Sequence, residues 1–467
     1  MKNKILNFNF IFFLFCFFLL IFIAAPARSE NTSPRISEKS LIDPSTASPW
    51  FVPEAPEVME QKYMTGNWAG MRDKLADSGI TFLSTYVFDV LGNPVGGEKQ
   101  GTEYDHSMGL DVNLDLEKAA GVKGLQLHAS CLWRAGANLS TKYIGNAFTA
   151  SSIFGSEEFK FYSLYLEQSF FDDQFNIRFG RFSPGDEFAA SPIYWIFVNN
   201  SIDGNPISLP RNLPFLTYPN ATWGARAILN LTDTVYSKTA IFNGDPRVGR
   251  DSAHGFDFGL RLNRGLIYLQ EFGYTPNKKK DSPGMPGNYK IGGFYHSGKF
   301  FDLYSDPNGG SYIVTGLPRK KRIGNWGFYT HTDQMLYREG GPGSDQGLTA
   351  FVVFTWAPAN FNQFPFFMDC GLLYKGLIPG RDEDTAAVGF TYGMWSRELA
   401  RSQRDDREIN RNTVDPQEYE IMLDFTYKLQ ITKWFFVQPD IQYIIHPGGT
   451  GKVPNAMVIG SRFGFTF

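Results

Sequence analysis

The residues with the clearest chemistry are arginines and carboxylates at alternating positions of strand-like segments. The alternation turns six of them to one side: Arg178, Arg226, Arg261, Glu167, Asp257 and Glu271. A guanidinium offers a fork of donors and a carboxylate offers acceptors, so together they could hydrogen-bond a solute rich in hydroxyl groups. The alternative is structural, because opposite charges inside a polar cavity often neutralise one another and stiffen its wall. The sequence leaves both interpretations open at each position.

A second group of candidates lies where one of these segments gives way to a loop. Arg181, Asp186 and Glu187 fall at that boundary, so strand alternation no longer decides which way they point. Tyr194 and Trp195 follow in the loop and could offer flat surfaces to the apolar face of a ring-shaped solute. Packing or anchoring at an interface is the competing interpretation for both aromatic residues.

Catalytic, metal-binding and nucleic-acid-binding functions find little support. The chain has six histidines, and His128 lies two residues from Ser130 on one strand face without an evident third orienting group. Metal-ligand spacings and phosphate-binding glycine loops are absent from the sequence, and a formal net charge of -3 gives no sign of a nucleic-acid partner. We therefore predict no catalytic residue, no metal site and no cofactor, with a barrel enzyme kept as a minor alternative.

Strands with one apolar face are the elements that must position these side chains. Within residues 107–116, Met108 and Leu110 alternate with Gly109 and Asp111, and the pattern holds to the end of the segment. The same period of two recurs in residues 125–134, 223–231, 256–263 and 421–428. Because side chains alternate across a strand, each segment predicts one apolar face and one polar face.

The first 27 residues have the pattern of a cleaved export signal. Lys2 and Lys4 precede an apolar run over residues 11–23, and small residues at Ala25 and Ala27 match a signal-peptidase site. Beyond this segment no run of 18 apolar residues occurs, so we expect no membrane-spanning helix. Aromatic residues make up 16% of the chain and glycines number 47, which favours an outer-membrane barrel but also suits a large exported β-protein.

Three further regions follow the export signal. Residues 28–60 are rich in Ser, Pro and Glu and predict a disordered leader. Residues 61–79 predict a short periplasmic helix segment before the first strand, with Trp68 and Met71 on one side. Residues 80–467 predict the barrel itself.

The fold class predicted is all-β, a closed antiparallel transmembrane β-barrel. A spanning strand needs about 9 to 11 residues, so residues 80–467 leave room for about sixteen strands with their turns. Closure is expected because lipid offers no hydrogen-bond partner to an open sheet edge. A soluble β-sandwich or β-helix would show the same alternation and stays as an alternative. Cys131 and Cys370 fall on apolar outward faces, where we expect free thiols.

The C-terminal strand favours the barrel over the soluble alternatives. Ile459, Phe463, Phe465 and Phe467 share one face of that strand. A last strand that ends in Phe resembles the signal by which the outer-membrane assembly machinery takes up its barrels. We therefore expect a location in the bacterial outer membrane, with membrane lipid and the barrel assembly machinery as partners.

Four stretches have distinctive motifs: residues 66–72 (GNWAGMR), 180–188 (GRFSPGDEF), 376–385 (GLIPGRDEDT) and 438–443 (QPDIQY). In order and spacing they resemble the carbohydrate-selective porin family, often called the OprB family. The resemblance covers residues 66–467 and leaves out the leader. It implies a sixteen-stranded barrel whose constriction, lined by arginines and carboxylates, favours small sugars such as glucose. A general small-solute porin and a structural barrel with an occluded lumen remain alternatives.

Overall fold

The computed structural model describes residues 61–154, 157–279, 282–412 and 415–467. The predicted export signal (residues 1–27) and leader (residues 28–60) lie outside the described residues. Within the described ranges, no helix combines the length and the apolar character needed to cross a membrane.

Sixteen strands in the described ranges form one closed antiparallel barrel, which confirms the predicted fold class. Each strand pairs with its neighbours in sequence, and the first pairs with the last. The strands are β1 Ile80–Val95, β2 Thr102–Asp115, β3 Leu125–Gly136, β4 Glu158–Phe170, β5 Phe175–Phe182, β6 Thr222–Asn230, β7 Val235–Asn243, β8 Leu266–Tyr274, β9 Gly287–Phe301, β10 Lys321–Arg338, β11 Gly347–Trp356, β12 Phe366–Lys375, β13 Thr385–Met394, β14 Tyr419–Thr432, β15 Phe435–Ile445 and β16 Ala456–Thr466. Long connections gather at one end of the barrel, which in outer-membrane barrels is the extracellular end.

The strands form because apolar and polar side chains alternate along them. On β2, Met108 and Leu110 are exposed on the outer wall, where lipid would surround them, and Ser107 is buried on the inner wall. Four of the five segments predicted from the alternation lie in β2, β3, β6 and β14. At the closing seam, the ring of Phe463 stacks on Phe88 with 4.7 Å between centroids. Cys131 and Cys370 form no disulfide bond.

The strand predicted over residues 256–263 was wrong. These residues belong to the long connection between β7 and β8, and only a single 3-10 turn, Leu262–Arg264, forms at their end. Exposed side chains still alternate along the segment, but it joins no ladder of the barrel. Alternation by itself therefore does not require sheet pairing.

Among the described residues, six short α-helices lie in the segments that precede or connect the strands. They are α1 Met71–Asp77, α2 Leu116–Ala120, α3 Pro184–Glu187, α4 Ser208–Asn212, α5 Tyr312–Thr315 and α6 Arg397–Ile409. α1 is the helix predicted before the first strand, and it begins after Gly70, whose φ of 84° is the left-handed conformation that glycine adopts without strain. The segment before α1 is tied to the closing strand, because the N–H of Met64 donates to the carbonyl of Thr466 at 2.8 Å.

Part of the barrel interior is an apolar core, although the alternation predicted a polar lumen. Two connections fold inward: residues 137–154 after β3, and residues 183–221 after β5, hereafter the inward loop. Their side chains Phe148 and Phe197 pack with inward-facing Phe351 of β11 and Phe367 of β12. The inward loop therefore packs against an apolar interior like that of a soluble protein, and the polar inward-facing side chains occupy the rest of the lumen.

Candidate functional site

Charged side chains form a continuous row on the inner wall of six neighbouring strands. The row consists of Glu167 on β4, Arg178 on β5, Arg226 on β6, Lys238 on β7, Glu271 on β8 and Lys290 on β9. Strand register brings them together, since Arg178 is the cross-strand partner of both Glu167 and Arg226, and Lys238 is the partner of Glu271. Cross-strand partners lie on the same face, which puts Glu167 beside Arg178 and Lys238 beside Glu271, and also puts the two like charges of Arg178 and Arg226 side by side.

Glu187, at the end of α3 in the inward loop, binds the two arginines of this row. Its Oε1 lies 2.5 Å from Nη1 of Arg178, and its Oε2 lies 3.0 Å from Nε of Arg226. Burial alone would raise the pKa of Glu187, but the two guanidinium groups outweigh it and lower the pKa to about 2. Glu187 is therefore ionised at neutral pH and fastens the start of the inward loop to the wall.

Asp186 faces a different environment from its neighbour. Its carboxylate accepts the hydroxyl of Tyr162 at 2.6 Å, and no cation within the described residues forms an ion pair with it. Burial raises the pKa of Asp186 from 3.8 to about 7, although the hydroxyl of Tyr162 partly opposes the shift. Ser183 begins α3 by accepting the N–H of Gly185 at 3.1 Å, so both acids are held on one short turn.

The next residues of the inward loop are held by Glu271 and Lys290. Glu271 accepts the N–H of Ala189 at 3.2 Å and the hydroxyl of Tyr329 at 2.7 Å. Lys290 donates to the carbonyl of Ala190 at 2.6 Å. These charges are thus committed to positioning the loop backbone.

A separate ion-pair cluster holds the middle of the inward loop. Arg462 on β16 lies 2.6 Å from Asp203 of the loop and 2.8 Å from Asp89 on β1, and all three are buried. Sequence analysis missed this cluster. Alternation does place Arg462 on an inner face, but nothing in the sequence pairs it with an acid in a loop about 260 residues away.

The side chains that remain accessible are not the predicted arginines. The side chain of Glu167 is 21% exposed and that of Lys238 is 12% exposed, whereas that of Arg178 is 4% exposed and Arg226 is fully buried. Asp111 and Asp333 are also partly exposed. Lys238, Asp111 and Asp333 were not among the sequence candidates, although their inward alternation was a usable signal.

His128 is also partly exposed, and its neighbours hold the ring in place. Its ring stacks on Tyr165 with centroids 4.6 Å apart, and its Nδ1 lies 2.7 Å from the amide oxygen of Asn113. The guanidinium carbon of Arg178 lies 4.0 Å from the centre of the Tyr165 ring. The hydroxyl of Ser130 is engaged by Ser163 at 2.6 Å, so the histidine and serine do not form a nucleophile and base pair.

Three predicted candidates lie outside the pathway, which corrects their placement. Arg181 pairs across strands with Leu164 and Trp223, whose side chains are on the outer wall, so its side chain is on that wall as well. Asp257 and Arg261 belong to the β7–β8 connection and pair with each other at 3.1 Å. β5 continues through Arg181 to Phe182, so alternation still applies and turns Arg181 to the side opposite Arg178. The β7–β8 connection covers the outer wall at that point.

The two aromatic candidates differ in their surroundings. Tyr194 is buried in the interior core, and its hydroxyl lies 2.6 Å from Nδ1 of His331. These surroundings agree with the packing interpretation of Tyr194. Trp195, in the 3-10 turn Pro192–Ile196 of the inward loop, is partly exposed.

Comparison with known proteins identifies the family. The model of the carbohydrate-selective porin family, OprB, matches residues 99–467. The chain belongs to this family.

Known relatives of this OprB-family porin cover most of its length. It is 27% identical over 422 residues to Porin B of Pseudomonas aeruginosa, with 87% of this chain and 91% of the relative covered. It is 21% identical over 429 residues to the putative porin QuiX of Acinetobacter baylyi, with 87% and 94% covered. The high-pH structure of Pseudomonas putida OprB superimposes with a TM-score of 0.83 at 26% identity, covering 88% of this chain and 99% of that one.

Family and fold together make this OprB-family protein an outer-membrane channel. Among the residues that the structure describes, no group of His, Cys, Asp and Glu is arranged to hold a metal ion. What the site offers is a set of hydrogen-bonding groups fixed in place by ion pairs, and such a set suits passage better than bond-making chemistry.

Proposed function

We propose that this porin lets small sugars such as glucose diffuse passively across the outer membrane, past a polar strip on the inner wall. The polar strip consists of the partly exposed side chains Asp111, His128, Glu167, Lys238 and Asp333. One observation carries the proposal: the buried charges Arg178, Arg226, Glu271 and Lys290 are engaged by other charges or by the inward loop, so the partly exposed strip is where groups remain for a solute. It contains both donors and acceptors, which a neutral sugar needs to replace its hydration.

Glu167 is the member of the strip that the wall orients most firmly. Its Oε2 lies 2.5 Å from Nη2 of Arg178 and 3.3 Å from Nη2 of Arg226, and its Oε1 accepts the amide of Asn176 at 2.9 Å. The two arginines thus act as positioning residues behind Glu167. Because the carboxylate of Glu167 is already paired with both arginines, its hydrogen bond to a sugar stays weak and the sugar can leave.

The proposal is tested by liposome swelling with purified, refolded protein. Glucose, a disaccharide, an amino acid of similar size and an oversized sugar are compared. Glucose should enter faster than the amino acid, and the oversized sugar should not enter. Equal rates for all small solutes would replace a selective pore by a general one. No swelling with any solute would indicate an occluded structural barrel.

Variants of the polar strip localise the selectivity. Replacing the charged acceptor in Glu167→Gln weakens a hydrogen bond by about 1 kcal/mol, so the ratio of glucose to amino-acid rates should fall about fivefold. Asp233→Asn is the matched control, because Asp233 is an exposed acid that pairs with Lys279 in a turn outside the lumen. Unchanged selectivity in Glu167→Gln would contradict the role of the strip.

A further inference from the structure

The β7–β8 connection folds back over the outer wall of the barrel. The segment involved, residues 254–262, is hereafter the outer strap. The carbonyl of His254 accepts the N–H of Phe161 on β4 at 3.0 Å, and the carbonyl of Phe258 accepts Nε1 of Trp223 on β6 at 2.9 Å. The carbonyl of Gly259 accepts the side-chain amide of Asn243, at the end of β7, at 3.2 Å. The strap therefore runs across the wall from β4 to β7 on the side away from the lumen.

The outer strap lies where the barrel wall is incomplete. Pairing between β4 and β5 stops at Leu164 and Arg181, so residues 158–163 of β4 have no β5 neighbour. The chain turns inward at this point to form the inward loop and returns only at Thr222. A gap in a lipid-facing wall would leave backbone groups without partners, and lipid supplies none. The strap fills this gap.

The strap also covers a charge on the outer wall. Arg181 is fully buried even though its cross-strand partners face outward. Its Nε donates to the carbonyl of Tyr162 at 3.2 Å, its Nη1 donates to the carbonyl of Asp257 at 3.1 Å, and its guanidinium lies 5.5 Å from the ring centre of Phe258. An uncovered arginine at this position would face the membrane, which is costly for a charged group.

Gly255 lets the strap approach the wall closely. Its φ is +77°, and a Cβ at this position would lie 1.9 Å from the carbonyl oxygen of Phe161. Any other residue would have to move the strap away from β4. The close approach puts the ring of Phe256 on that of Phe161, with stacked centroids 5.5 Å apart.

The outward side of the strap is apolar. Phe256, Leu260 and Leu262 are each 58% exposed and Phe258 is 42% exposed, comparable with lipid-facing Phe179 on β5 at 59%. The intervening Asp257 is nearly buried in its ion pairs. The exposed row is continuous with the outward-facing wall, because the ring of Phe258 lies 6.3 Å from that of Trp223, which in turn lies 6.1 Å from that of Phe179.

We propose that the outer strap is part of the membrane-embedded surface. Phe256, Phe258, Leu260 and Leu262 lie among the acyl chains of the outer leaflet, and the strap replaces the missing upper parts of β5 and β6. The continuity of this row with the lipid-facing wall identifies lipid as its partner, since exposed apolar area of this kind is unfavourable in water. Lipid burial in turn presses the strap onto Arg181 at the root of the inward loop.

Site-directed spin labelling in lipid vesicles tests this proposal. In a Cys131→Ala/Cys370→Ala background, Phe258→Cys, Leu260→Cys and Leu262→Cys each carry one nitroxide. Phe179→Cys is the lipid-facing control, and Lys452→Cys, in the exposed β15–β16 connection, is the control in water. Each labelled barrel is first shown to be folded by its heat-modifiable gel mobility.

For each label we compare the collision rate with oxygen to the collision rate with a water-soluble nickel reagent. The ratio for the three strap labels should match the ratio for the label at Phe179, and it should be several-fold above the ratio for the label at Lys452. Nickel-dominated collisions at the strap would mean that it lies in water and would overturn the proposal. Few collisions with either reagent, together with spin–spin broadening, would mean that a second copy of the chain covers the strap, and would also overturn it.

Discussion

Removing the carboxylate of Glu187 is expected to destabilise the barrel strongly. In Glu187→Gln the side chain keeps its volume, but the ion pairs at 2.5 Å to Arg178 and 3.0 Å to Arg226 lose their anion. Both guanidinium groups then depend on Glu167, which is partly exposed to water. Two buried cations are left with one shared partner, and like charges meet at close range.

The magnitude follows from how completely the cluster is buried. Breaking a buried ion pair by removing one partner costs about 3–5 kcal/mol, because the remaining charge stays desolvated. Asp233 and Lys279 offer the opposite case, since both side chains are about four-fifths exposed. Such a pair contributes about 0–1 kcal/mol. Asp233→Asn makes the same chemical change as Glu187→Gln and should therefore be almost neutral.

The assay is urea unfolding in lipid vesicles at pH 7, followed by tryptophan fluorescence, for the parent and both variants. The expected order of stability is parent, then Asp233→Asn slightly below it, then Glu187→Gln lower by about 3–5 kcal/mol. If the two variants lie within about 1 kcal/mol of each other, then Glu187 does not clamp the arginines in the bilayer and the reasoning is refuted.

Three further outcomes are expected. Because the pKa of Asp186 is raised from 3.8 to about 7, its contribution to stability is full below pH 3.8 and is lost as the pH rises through 7. Asp186→Asn should therefore lose less stability between pH 5 and pH 8 than the parent, by at most about 3 kcal/mol in urea unfolding. Arg462→Met leaves Asp89 and Asp203 buried without their cation and should cost about 3–5 kcal/mol, with faster amide exchange in residues 197–203 of the inward loop; unchanged exchange would contradict the clamp. Gly255→Val should detach the outer strap, seen as protease cleavage within residues 244–265, at a cost of about 1–3 kcal/mol, whereas Gly380→Val, a turn glycine with free space around it, should leave the strap protected.

The strand pattern made most of the barrel predictable. Period-two alternation depends only on neighbouring residues, so β2 and β3 could be recognised locally. The same alternation turned Glu167, Arg178 and Arg226 to one side, and the structure places all three on the inner wall. Whether they select a solute is still a prediction.

What could not be predicted depends on contacts between distant parts of the chain. The buried state of Arg178 and Arg226 results from Glu187, which a loop returns to the wall, and strand alternation carries no information about loops. The apolar interior around Phe351 could not be predicted for the same reason, because inward-facing apolar residues are favourable only when a loop covers them. Arg181 was misplaced because its environment is created by the outer strap.

The seam between β1 and β16 has a consequence for how the barrel is made. Thr85 pairs with Thr466, and the N–H of Phe467 donates to the carbonyl of Ser84 at 2.8 Å, so the sheet closes only when the end of β16 arrives. Until then β1 and β15 each present an unpaired edge, which can template pairing with another chain. A chain that stops short of β16 would keep both edges open indefinitely. A chain that includes β16 can close its sheet, whereas a truncated chain keeps open edges and should therefore aggregate.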